Sequence, residues 1–139
     1  RLPVVNEKYA VTAPHYGQIT GKRIFLLPNV TNRWDRKLPT DTARQYWINL
    51  TDDLTEIDSV HIEVPAGYTL EAAIKPLQLT TVFGTYEVSA VLDGNKVHYY
   101  RKLQLNRGRF EAAQYNELAK FYDQLYKSDH SKMVLVKKE

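Results

Sequence analysis

The stretch "GTYEVSAVLDGNKVHYYRKLQL", residues 84–105, decides how this chain folds. Tyr86, Val88, Ala90 and Leu92 alternate with mostly polar neighbours, and so do Val97, Tyr99, Leu103 and Leu105. A period of two places each set on one face of an extended strand. Asp93, Gly94 and Asn95 lie between the runs, and the glycine accepts the positive φ that tight hairpins need. Residues 84–105 therefore read as a long antiparallel hairpin. One residue breaks the pattern. Arg101 occupies the apolar parity of the second strand, where a charge must find a carboxylate, several carbonyl oxygens or an escape to an edge.

Beyond "NRGR" (106–109) the period changes. Tyr115, Leu118, Tyr122 and Leu125 recur at spacings of three and four, and Phe121 widens the stripe. No proline or glycine falls within 111–127, and Ala112, Ala113, Glu117, Ala119 and Lys120 favour helix. One amphipathic helix is expected, ending near "KSDHS" (127–131), with "MVLV" (133–136) as a closing strand. Upstream, Pro3, Pro14, Pro28, Pro39, Pro65 and Pro76 cut the chain into short pieces. Strand character marks "KYAVT" (8–12), "RIFLL" (23–27), "QYWINL" (45–50), "SVHIEV" (59–64) and "LQLTTV" (77–82). A turn is expected at Pro65–Gly67. The pattern predicts one mainly β domain over 1–139: an antiparallel β-sandwich, jelly-roll-like, with one C-terminal amphipathic helix and a closing strand. Strand order does not follow from it.

Composition narrows the function classes. The chain has 139 residues, 43% hydrophobic and 25% charged, as an ordinary globular domain does. It has no cysteine, which removes disulfides, thiolate metal sites and a cysteine nucleophile from consideration. A net charge of +3 spread along the chain forms no basic stripe, so no nucleic-acid partner is expected. No apolar run reaches the length of a membrane span, and no membrane insertion is expected. The chain begins with Arg1 rather than Met, and is expected to be a piece of a longer or processed protein.

Catalytic and metal chemistry find little to work with. His15, His61, His98 and His130 share no metal-ligand spacing, and His61 and His98 fall on the polar parity of their strands. "TDDLTEID" gathers Asp52, Asp53, Glu56 and Asp58 but lacks the glycine and spacing of a calcium loop, and reads as a solvated acidic turn. No Walker loop, G-x-S-x-G or G-x-G-x-x-G occurs. "NRGRF" brings Arg107 and Arg109 beside Phe110, which is expected to staple the helix to the sheet rather than stack on a base. No metal, cofactor or catalytic residue is expected.

Aromatic residues open a second possibility. Tyr86, Tyr99, Tyr115 and Tyr122 lie on core faces, which leaves Trp34, Trp47 and Tyr100 as platforms on which a polysaccharide could stack. Asn29 and Asn49 head formal glycosylation sequons, meaningful only in a eukaryotic secretory setting. For Arg101 the candidate partners include Glu87 on the paired strand and Glu111 or Glu117 of the helix. Its expected role is to tie the sheet to the helix or to a neighbouring domain.

From Ile19 to Lys138 the chain resembles a bacterial family: the C-terminal domain of unknown function that follows a transglutaminase-like domain in large exported proteins. The resemblance rests on "RIFLLP", an arginine at Arg44 before an extended stretch, "VHIEVPAGYTLE", the "YYRKLQL" strand and the Y-x-x-L-x-x-F-Y helix with its closing strand. It implies a non-catalytic β-sandwich module whose partner is the transglutaminase-like domain of the same polypeptide, in the periplasm, at the cell surface or secreted. That family's nucleophilic cysteine belongs to the neighbouring domain, so the resemblance brings no catalytic residue here. Arg44, Tyr100 and Arg101 are the expected contacts between domains. The alternative is a glycan-binding module using Trp34, Trp47 or Tyr100.

Overall fold

In a computed structural model, residues 5–12, 16–39, 46–51 and 53–138 are described. The strands are β1 (Gln18–Thr20), β2 (Arg23–Leu26), β3 (Ile48–Leu50), β4 (Leu54–Glu63), β5 (Tyr68–Ala72), β6 (Leu77–Thr81), β7 (Gly84–Asp93), β8 (Lys96–Leu105), β9 (Gly108–Phe110) and β10 (Met133–Lys137). A single 3-10 turn over Ala112–Gln114 leads into the helix α1 (Tyr115–Asp129). All pairings are antiparallel, in the orders β1-β2-β10-β5, β3-β9 and β4-β8-β7-β6. The expected fold class holds: mainly β, with antiparallel sheets, one C-terminal helix and a closing strand. The order β4-β8-β7-β6 is that of a Greek key whose long connection runs through β5 in the other sheet.

The β7–β8 hairpin forms as its alternation requires. Asp93 pairs with Lys96 across a loop of Gly94 and Asn95, and the register runs unbroken to Gly84 opposite Leu105. Gly94 takes φ 61°, the positive value that this tight reversal needs. Tyr86, Val88 and Ala90 of β7 and Val97, Tyr99, Arg101 and Leu103 of β8 turn inward and are buried. β10 runs between β2 and β5, so the last strand completes the first sheet. Ile24 and Leu26 of β2, Met133 and Leu135 of β10, the inner residues of β7 and β8, and the apolar face of α1 all join one core. The helix buries Tyr115, Leu118, Ala119, Phe121, Tyr122, Leu125 and Asp129.

Two expectations need correction. "KYAVT" forms no strand, and all five of its residues are exposed. The acidic run is no turn: Leu54–Glu63 is a ten-residue strand, and its inner parity carries Glu56 and Asp58. Asp58 lies directly across from Arg101, which supplies the charge an inward carboxylate requires. Phe110 is more than the residue that leads into the helix. It belongs to β9, opposite Ile48, and meets the Phe83 ring edge-on at 4.9 Å. Asp52 and His15 lie outside the described residues.

Gly84 marks the tightest backbone approach, since a Cβ there would run into the carbonyl oxygen of Gln104 on β8. Gly84→Ala is expected to lower stability by about 2–3 kcal/mol in urea titration, the range for forced overpacking with strained backbone. Gly94→Ala, with nothing within 4 Å, carries only its left-handed backbone cost, about 1–2 kcal/mol. Equal losses at the two sites would show that β7 and β8 have room to part.

Candidate functional site

The candidate site is a polar cleft whose floor is the Arg101 cluster. Arg101 is fully buried, and the structure answers its sequence anomaly with a partner on the helix. Its Nε donates to Asp129 Oδ1 and its Nη2 to Asp129 Oδ2, both at 2.8 Å, a bidentate pair. Nη1 donates to Glu56 Oε1 at 3.1 Å and Asp58 Oδ2 at 3.2 Å. Its guanidinium carbon also sits 5.7 Å from the centre of the Tyr86 ring. The expected partners Glu87, Glu111 and Glu117 are not used. Glu87 stands on the outer parity of β7, and the helix presents Asp129 instead.

Asp129 is equally buried and equally occupied. Besides Arg101 it accepts the Tyr86 hydroxyl at 2.6 Å and the Trp34 backbone N–H at 2.9 Å. One carboxylate thus joins α1, β7, β8 and the segment that follows β2. Asp58 fixes the same segment by accepting from Asn32 Nδ2 at 2.8 Å and Thr31 Oγ1 at 3.2 Å. Asp129 is the last residue of the helix, where the macrodipole disfavours a negative charge, so the guanidinium offsets both burial and dipole.

Above this floor opens a cleft of about 730 Å³, bounded by segment 31–36, β3 and the start of β4. Asn32, Asn49, Thr51, Asp53, Glu56 and Asn106 line its walls, with Trp34, Arg101 and Tyr122 among them. Burial lowers the Arg101 pKa, but the hydrogen bonds and charge of Asp129 outweigh it and keep the guanidinium firmly protonated. Burial, followed by the Asp129 charge, raises the Tyr86 phenol well above its ordinary value. The arrangement can recognise polar groups and fix neighbouring elements. No group of three or more His, Cys, Asp and Glu among the described residues could hold a metal.

Sequence reasoning named five possible contact residues, and four of them lie within the described residues. Trp34 and Arg101 meet at the cleft. Trp34 is no open platform: it is 9% exposed, packs on Tyr122 at 4.7 Å between ring centres, and has the Arg36 guanidinium 5.7 Å over its ring. Tyr100 lies on the opposite face of the sheet, half-buried, with Ser59 and Ser89 across from it. Trp47 is exposed and lies under the Arg109 guanidinium at 4.7 Å. Arg44 is outside the described residues. His61 and His98 face each other across β4 and β8 on the outer sheet face, ring centres 4.5 Å apart. Asp129 was missed, although a signal for it exists. It lies four residues beyond Leu125, on the stripe of Tyr115, Leu118 and Tyr122.

Burial, then the charge of Asp129, raises Tyr99 as it does Tyr86. A raised folded pKa means that the fold prefers the neutral phenol. The stabilisation is complete below the unfolded value, about pH 10, and is lost as pH climbs above it. In an alkaline titration followed by phenolate absorbance, Tyr86 and Tyr99 are expected to ionise only as the chain unfolds. Tyr86→Phe should flatten the decline of stability above about pH 10. Ionisation of every tyrosine near that pH, with the fold intact by circular dichroism, would contradict the buried network.

The comparisons with known proteins agree with the fold. The chain covers 24% of the length of a protein from Parabacteroides distasonis whose crystal structure is described as that of a "putative protease". The match takes in 86% of this chain at 15% identity, with a TM-score of 0.63, a likeness of fold. No curated protein matches the chain. Residues 22–135 match the family described as a domain of unknown function with a solved structure, DUF3858. That match spans most of the chain, from β2 into β10, and the chain belongs to this family.

Proposed function

We propose that this domain is a non-catalytic accessory module of a longer exported bacterial protein, positioning a transglutaminase- or protease-like domain beside it. One observation carries the reading: the charged groups best placed for chemistry are engaged with one another. Arg101 binds Asp129 through two parallel bonds and reaches Glu56 and Asp58, while the Tyr86 hydroxyl donates a hydrogen bond to the same carboxylate. The two histidines of the sheet lie on the far face from this cluster. Such a site fixes structure and presents a polar wall; it does not polarise a bond. The resemblance of the sequence to domains that follow a transglutaminase-like domain supports the same reading. So does a fold that matches 24% of a chain described as a "putative protease". The periplasm, the cell surface or the exterior is the compartment that goes with it. A glycan-binding role has less support, since the Trp34 ring is packed into the core.

Domains that dock within one chain stabilise each other by the free energy of their interface. Calorimetry of the longer protein should therefore show this module unfolding at least about 3 °C above the isolated 139-residue chain, or together with its neighbour. The isolated chain should hydrolyse no peptide, amide or glycoside. An identical midpoint in both settings would refute docking. Turnover by the isolated chain that disappears with Glu56→Gln or His61→Ala would refute the non-catalytic assignment.

A further inference from the structure

His61 of β4 and His98 of β8 stand directly opposite each other on the outer face of the β4-β8-β7-β6 sheet. Their pairing is of the closer kind. Beyond Glu63 and Lys96 the Val64 N–H donates to the Asn95 carbonyl at 2.8 Å, so Val64 and Asn95 form a hydrogen-bonded pair in the same register. Antiparallel pairs alternate. Three steps back, His61 and His98 therefore form a non-hydrogen-bonded pair, in which side chains approach most closely. The rings meet edge to face with centres 4.5 Å apart. His61 is exposed and its Nε2 has only the Ser59 hydroxyl near it, at 3.5 Å. His98 is half-buried, and among the described residues no hydrogen bond reaches its ring. His130 differs, being stacked on Tyr126 and joined through Nδ1 to the Tyr126 carbonyl.

We propose that His61 and His98 chelate a divalent transition ion of the borderline class, such as Zn2+, Ni2+ or Cu2+. Neutral imidazole suits these ions, whereas Ca2+ and Mg2+ take oxygen ligands. Two nitrogens on one tetrahedral zinc lie about 3.3 Å apart, given Zn–N lengths of about 2.0–2.1 Å. Rings with centres 4.5 Å apart reach that separation by side-chain rotation alone. The backbone beneath them is fixed, because β8 is paired on both sides and all ten residues of β4 pair with it. Such preorganisation spares part of the ordering cost of binding. The next row on the same face holds Glu63, Lys96 and Asp93, two carboxylates beside one ammonium. Ser59, Tyr100, Ser89 and Val91 around the pair carry no charge, so the local field favours a cation. No group of three or more ligating residues exists among the described residues, so the chain supplies two ligands and water the others. The bound ion would tie the edge strand β4 to β8, and β4 carries Glu56 and Asp58 of the Arg101 cluster. This inference is independent of the accessory role.

Calorimetric titration of the 139-residue chain, free of any histidine tag, with zinc chloride and nickel chloride tests the proposal. One ion per chain should bind with a Kd below about 100 µM, and calcium chloride at the same concentrations should not bind. His61→Ala and His98→Ala should each weaken binding by about tenfold or more, since losing even an outer-shell partner of a metal costs that much. Saturating zinc should raise the melting temperature of the unsubstituted chain and leave that of both variants where it was. Both side chains lie on the outer face, so the circular dichroism of each variant without metal should match the unsubstituted chain, which keeps lost binding distinct from lost fold. Absence of zinc and nickel binding up to about 1 mM would overturn the proposal. So would an affinity that survives His61→Ala, which would place the ion elsewhere. One ion per two chains would make the metal a bridge between copies and overturn it as well.

Discussion

The Arg101–Asp129 pair is the constraint around which the rest of the fold is arranged. Both groups are fully buried, and an ion pair in that position is tolerated only when geometry and hydrogen bonding replace the lost water. Here they do. The two parallel N–H bonds hold the carboxylate, the Tyr86 hydroxyl and Trp34 N–H occupy its remaining lone pairs, and Glu56 and Asp58 take up the outer amino group of the guanidinium. The pair also fixes register. A slip of β8 by one residue would carry Arg101 to the solvent face and leave Asp129 buried without its cation. A hydrophobic pair could slide with little loss; this one has a single position.

How much of this was legible depended on whether the governing contact was local. The hairpin at 84–105, the helix stripe and the "MVLV" strand are all patterns of period two or of three and four, and they appear where the pattern puts them. The arginine anomaly was legible too, as a charge on a core parity. Its partner is less legible, because acidic residues are ordinarily solvated and Asp129 lies 28 residues away on another element. Glu87 is adjacent to Arg101's paired position but faces outward. The helical period, continued one step past Leu125, arrives at Asp129. Two charges of opposite sign, each on the apolar register of its own element, form a readable signal only when set side by side.

The remaining differences arise where tertiary contact overrides composition. "TDDLTEID" has the makings of a turn, yet pairing of all ten residues of β4 with β8 draws its second part, from Leu54 on, into a strand. Trp34 sits in "VTNRWDRKLP", a stretch without period, so nothing local tells whether its ring is covered. Tyr122 of the helix and Arg36 cover it. Arg101 and Asp129, by contrast, are wholly engaged within the domain. The cleft wall, the outer sheet face with Tyr100 and the exposed Trp47 stay open to solvent.

A double-mutant cycle on Arg101 and Asp129, read by urea denaturation, tests the central claim most directly. Arg101→Met and Asp129→Asn should each cost about 3–5 kcal/mol, because each strands a buried polar partner. Combining them should cost less than the sum by about 2–3 kcal/mol, the coupling of groups in one network. Losses that add to within about 0.5 kcal/mol would contradict the account, by showing that helix and sheet are held together without this pair.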